Sequence, residues 1–206
     1  DWRRAPLVLR RQYYGLMLAE SAALALVFGA VVSRLTAVLL SPLAQVCALG
    51  FQGPPPSTAT ACVLSPAAGS LPWAQLATTL PAAGATTRAI LAAEALGHGQ
   101  MLVLALGAGL YEELVFRVLL VGGLMAVGSR LAPRRRGAVG AVAVTASALL
   151  FAAFHYVGAL GDSWSLASFT FRFLGGLAFS LIYALRGFGI VAWTHALYDV
   201  FLLTLL

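Results

Sequence analysis

Residues 101–127 read MLVLALGAGLYEELVFRVLLVGGLMAV. The run is long enough to cross an apolar core of about 30 Å, which takes ~20 helical residues, yet Glu112, Glu113 and Arg117 stand near its centre. A charge at bilayer depth costs ~2.5–3.5 kcal/mol on insertion scales, so such groups persist only where they pair or line a polar cavity. The stretch therefore decides the fold class: all-α, with helices lying in lipid around a polar interior. It also marks where chemistry belongs.

Outward from it the pattern repeats. An arginine-rich loop through Pro133 and Gly137 leads to a helix expected over about Ala138–Tyr156. Gly161-Asp162-Ser163 makes the next turn, and Ser165 caps a helix over about Leu166–Leu185. Arg186-Gly187-Phe188-Gly189 opens a last helix that runs to Leu206. Short connections make these neighbours antiparallel, and Gly175 and Gly176 allow close helix approach. Val142–Phe154 and Phe173–Leu185 are apolar on all sides, unlike the alternating strands of a transmembrane barrel. Residues 100–206 thus read as a four-helix catalytic core within a polytopic transmembrane helical bundle.

Residues 1–99 read as N-terminal membrane segments. A first span is expected over about 13–32 and is retained rather than cleaved, since further spans follow. Leu35–Phe51 is apolar but short, Gly53-Pro54-Pro55-Pro56-Ser57 forbids a helix, and Ala59–Ala93 carries Pro66, Pro72 and Pro81. That last stretch fits a broken span, a re-entrant segment or an interfacial helix equally well.

Of the 206 residues 61% are hydrophobic and 10% charged, against roughly a quarter charged in soluble domains. The net charge of +6 is all arginine, clustered at Arg3, Arg4, Arg10 and Arg11 and again at Arg130, Arg134, Arg135 and Arg136. Beside apolar spans such clusters set orientation and meet anionic lipid, and they mark the cytoplasmic side. Nucleic acid is not an expected partner, because no aromatic interleaving or binding module accompanies them. Cys47 and Cys62 form neither a CxxC pair nor a knuckle with histidine.

The ionisable groups expected at membrane depth are Glu112, Glu113, Arg117, His155, Arg172, His195 and Asp199. Glu113 and Arg117 are four apart and share a helix face, while Glu112 is rotated by about 100°. One glutamate is therefore engaged and the other free for chemistry. Phe151 and His155 share a face at the same spacing, as do His195 and Asp199, where a carboxylate can fix a histidine tautomer. Arg172 reads as snorkelling towards the Gly161 turn. Glu20 and Glu94 read as interfacial, and His98 sits in a Gly-flanked turn. A carboxylate that activates water, a histidine beside it and a second polar pair opposite supply a general base and a site for a developing oxyanion.

Glu112-Glu113-x-x-x-Arg117, Phe151-x-x-x-His155 and His195-x-x-x-Asp199, in that order on separate apolar helices, resemble the three motifs of the CAAX-processing and bacteriocin-processing (CPBP, or Abi) intramembrane endopeptidases. The resemblance implies a glutamate-type endopeptidase in which Glu112 and His155 activate water, His195 and Asp199 line the oxyanion side, and Glu113 and Arg117 give structural support. Its substrate would be a membrane-anchored protein or peptide precursor, and its partner phase the lipid bilayer. Many members end the third motif in Asn, which can donate; an ionised Asp199 only accepts. The family has also been described as metal-dependent. Two histidines and a carboxylate leave zinc possible, but without a HExxH helix no metal ligands are assigned. A non-catalytic binding, immunity or scaffolding role is the alternative, and a proton relay is disfavoured by the lack of inverted repeats. The arginine-only, alanine-rich composition suggests a bacterial inner membrane.

Overall fold

A computed structural model describes residues 11–50, 97–158, 161–162 and 164–205, all helices and turns. The proline-rich loop at Gly53–Ser57, the stretch Ala59–Ala93, Cys62 and Glu94 lie outside the described residues. Helix α1 runs Arg11–Gly50 and α2 runs His98–Glu113. A π-helical stretch, Leu114–Val121, joins α2 to α3, Gly122–Leu131. A 3-10 turn, Pro133–Arg135, leads into α4, Arg136–Phe154; α5 spans Leu166–Arg186 and α6 spans Phe188–Leu205. Among the described residues, four stretches are long and apolar enough to cross a membrane: Tyr13–Leu43, Gly99–Leu131, Pro133–Phe154 and Leu166–Arg186, with Phe188–Leu202 a shorter apolar helix. The chain is an integral, multi-pass membrane protein.

The first span, expected over about 13–32, continues without a break to Gly50. Pro42 removes the N–H that would serve the carbonyl of Val38, and Ser41 Oγ donates to that carbonyl instead at 2.8 Å. A side chain thus satisfies the carbonyl that the proline leaves free. The expected arginine-rich loop is also shorter: Pro133 starts a 3-10 turn directly after Ala132, and α4 begins at Arg136. Ser165 caps α5 as expected, accepting from Ser168 N–H at 3.1 Å. Gly187, at φ 83°, ends α5 and turns the chain straight into α6.

Contacts set the directions of the helices. Gly128 meets Val139 and Phe116 meets Ser147, so α3 and the π stretch run antiparallel to α4. Ala148 lies against Gly176 and Tyr156 against Ser168, so α4 is antiparallel to α5. Ser21 Oγ donates to Ile190 O at 3.3 Å and Phe28 meets Tyr198, which makes α1 parallel to α6. Close approach rests on small residues. A Cβ on Gly109 would fall 2.6 Å from the Ala196 nitrogen, and one on Gly176 would fall 3.0 Å from Ala148 Cα. The core that results holds Phe28, Phe116, Phe151, Phe179, Val191 and Tyr198. Arg130, Arg134, Arg135, Arg136 and Arg186 all stand at one end of this bundle, and the turn after α4 stands at the other.

Candidate active site

Glu112 and Glu113 are the last residues of α2, and the winding changes immediately after them. A π turn frees a carbonyl from the usual i→i−4 ladder. Ser147 Oγ of α4 donates to Phe116 O at 2.8 Å, fixing this segment against its neighbour. Nothing in the residue pattern signals the π stretch, and it is the backbone irregularity that carries Arg117.

Below it lies a dry layer. Glu113 and Arg117 are fully buried, with Arg117 Nε 3.0 Å from Glu113 Oε2. The other Glu113 oxygen holds His195 Nδ1 at 2.8 Å. Arg117 Nη2 donates to Gly176 O at 3.2 Å, and its guanidinium lies 4.7 Å from the centroid of Phe151 and 5.5 Å from that of Phe179. Phe179 stacks on His195 at 4.4 Å, and Phe28 of α1 stacks on Phe179 at 4.1 Å. Faces of aromatic rings favour cations, so this box suits a guanidinium beside an imidazole. Sequence reasoning missed Phe179 and Phe28, since an isolated aromatic on an apolar helix is indistinguishable from lipid-facing or core residues.

Beside it lies a more open layer. Glu112, His155 and Asp199 keep 18%, 23% and 27% of their side-chain surface. Glu112 Oε2 stands 3.8 Å from both His155 Nε2 and His195 Nε2, too long for a direct hydrogen bond and spaced for a water to bridge. His155 Nδ1 sits 2.8 Å from Phe151 O. A carbonyl only accepts, so the proton is on Nδ1 and the Nε2 lone pair of the neutral ring faces Glu112. Asp199 Oδ2 is 3.7 Å from His195 Nε2. The expectation that Asp199 orients His195 is thus met by another residue: Glu113 makes the hydrogen bond, across a helix interface that spacing along the chain does not reveal.

Arg172 reaches the turn after α4, as its snorkelling reading implied, but as the centre of a network. It donates to Tyr156 Oη at 3.0 Å and to Ser168 Oγ, and pairs with Asp162. Asp162 N–H in turn donates to His155 O at 2.9 Å. The turn that follows His155 is thereby tied to α5. Glu20, read as interfacial, pairs at 2.5 Å with the half-exposed Arg186.

Among the described residues no three His, Cys, Asp or Glu side chains form a set that could hold a metal ion. One ring nitrogen of each histidine is already committed, to Phe151 O and to Glu113. The arrangement leaves both Nε2 atoms turned towards Glu112 Oε2, each at 3.8 Å. What it does offer is a carboxylate and an imidazole lone pair facing one small volume, with a second imidazole on the opposite side. Residues 95–201 match a family model described as type II CAAX prenyl endopeptidase, Rce1-like. No curated protein and no solved structure matches the chain.

Proposed function

The chain belongs to the Rce1-like family of type II CAAX prenyl endopeptidases, and we propose that it hydrolyses a peptide bond of a membrane-anchored protein or peptide precursor with Glu112 as general base. One observation carries this reading: Glu112 Oε2 and the free Nε2 of His155 face each other across 3.8 Å in the least buried part of the polar cluster. A water held there gives its proton to Glu112 while its oxygen attacks the scissile carbonyl. His195 lies opposite. Held through Nδ1 by Glu113, it offers Nε2–H, in its charged form, to the oxyanion that develops. Asp199 lines the same side, and Glu113 with Arg117 supports His195 from below. The proton then passes from Glu112 to the leaving amine, which restores the carboxylate.

The working unit proposed is residues 100–206, with residues 1–99 as N-terminal membrane segments; α1 contributes packing through Phe28. A bacterial cytoplasmic membrane is the proposed location. The test is cleavage of membrane-anchored reporter precursors in liposomes by wild-type protein and by Glu112→Gln, with and without a strong zinc chelator. Cleavage lost in Glu112→Gln and spared by chelator supports the reading. Chelator-sensitive cleavage assigns the chemistry to a metal, and a cellular phenotype that survives Glu112→Gln assigns a non-catalytic role.

A further inference from the structure

We infer that Phe28 of α1 is a positioning residue for His195, acting through Phe179, so that the working unit proposed at residues 100–206 is incomplete without the first helix. This rests on the proposed role of His195 at the oxyanion for its effect on the reaction, but not for the geometry. Phe28 stands outside residues 95–201, the part of the chain that matches the family model.

An imidazole gripped at one nitrogen is only half held. Glu113 Oε1 lies 2.8 Å from His195 Nδ1, which leaves the ring free to tilt about that contact, since χ2 of histidine is a broad torsion. Tilting would carry Nε2 from its place 3.8 Å from Glu112 Oε2 and 3.7 Å from Asp199 Oδ2. The flat face of Phe179 removes that freedom: the two rings stack with centroids 4.4 Å apart and planes 23° from parallel. Phe179 has the same broad χ2, so its own plane is set by what presses on its other face. That neighbour is Phe28, stacked on it at 4.1 Å and 13°. At these distances two rings cannot share one face of Phe179, so Phe28 and His195 lie on opposite sides of it.

Phe28 is itself closely held. The buried positions Ser21, Ala25, Phe28, Val32 and Thr36 follow helical spacing and form one face of α1. Phe28 is the one aromatic on that face; Tyr13 and Tyr14 are exposed. Its ring tip enters a notch on α5, where a Cβ on Gly175 would come within 3.2 Å of Phe28 Cζ. Tyr198 of α6 meets the ring edge-on at 4.9 Å. Gly29 lets α1 come that close, for a Cβ there would fall 3.0 Å from Cε2 of the same tyrosine. The stack passes this restraint on to His195. An aliphatic side chain would fill the space but present no flat face to Phe179.

The test uses full-length protein in detergent with its histidines isotope-labelled for NMR. The chain has three histidines, His98, His155 and His195, and His195→Asn assigns the resonances of the third by their absence. Phe28→Leu keeps apolar bulk and removes the flat face. It should move and broaden the His195 resonances and lower kcat per folded protein about tenfold, less than the ~10²-fold that a ~1 Å misplacement can cost. KM should stay unchanged, because contact with an oxyanion is made in the transition state alone. Val32→Ala, one turn along the same buried face, weakens the packing of α1 and takes no ring from the stack. It should lower the unfolding temperature and leave the His195 resonances and kcat as they were. Resonances that stay in place in Phe28→Leu overturn the inference, as does a kcat that is unchanged while they move, or a Val32→Ala variant that moves both as far. Should Phe28→Leu not fold, Gly175→Ala, which displaces the same ring tip by a few tenths of an ångström, must move the same resonances or the inference falls. If wild-type protein cuts no reporter the protease reading fails, while the resonances still decide whether Phe28 positions His195.

Discussion

Glu112 and Glu113 are adjacent in the chain and opposite in circumstance. Glu113 is fully buried, with one oxygen on Arg117 and the other on His195. Glu112 keeps part of its side-chain surface, and its buried Oε2 stands 3.8 Å from the Nε2 of both His155 and His195. One residue of helical rotation, about 100°, separates a carboxylate that holds a histidine from the one proposed as general base. The difference teaches that the intramembrane charges of this fold are of two kinds. Arg117 and Glu113 neutralise each other in a dry aromatic box, where posture is fixed. Glu112, His155 and Asp199 each keep part of their side-chain surface.

Substitutions in the two layers should separate these roles. The largest effect is expected from Glu112→Gln: cleavage falls by about 10²–10⁴-fold, the usual worth of a general base, while thermal unfolding in detergent is unchanged. A matching fall in unfolding temperature would erase the contrast with Glu113. Next, Arg117→Met leaves the Glu113 carboxylate buried without its guanidinium and should cost about 3–5 kcal/mol of stability, the range for breaking a buried pair, read by unfolding in the same detergent. The double variant Glu113→Gln/Arg117→Met should lose less than the two singles combined, since the groups act as a unit.

Arg172→Gln tests the turn that holds His155. It should lower kcat by about 10–100-fold, the cost of small misplacement at a reacting centre, with KM little altered, and add nothing further in a His155→Ala background. An equal loss in that background would make Arg172 a general structural residue. The smallest effect is expected for Asp199→Asn, which should leave cleavage near wild type or raise it, because Asn can donate where an ionised carboxylate cannot. Loss of cleavage in Asp199→Asn would show that the charge itself is needed beside His195.

Much of this was legible along the chain. The apolar runs with embedded Glu112, Glu113 and Arg117 announced a helical bundle with a polar interior, and the helices from α2 onward begin and end within a few residues of where capping and turn residues place them. Arg172 was read towards the correct turn. What escaped were features with no local signature: the π stretch at Leu114–Val121, the continuation of the first helix through Pro42, and the Phe28–Phe179–His195 stack, which joins three helices. Asp162 as the partner of Arg172 escaped for the same reason.

The sequence by itself determined that the chain lies in the membrane, since hydropathy and the cost of burying charge are properties of each segment alone. It also determined which residues are candidates for chemistry, because so few ionisable groups stand in the apolar runs. Tertiary structure alone decided which contacts hold them across helix interfaces. Glu113, not Asp199, grips His195. Spacing fixes the face of one helix on which a side chain stands, but a hydrogen bond across an interface depends on how close two helices come and how each is rotated. Here that was set by glycines at the contacts and a π turn at the centre.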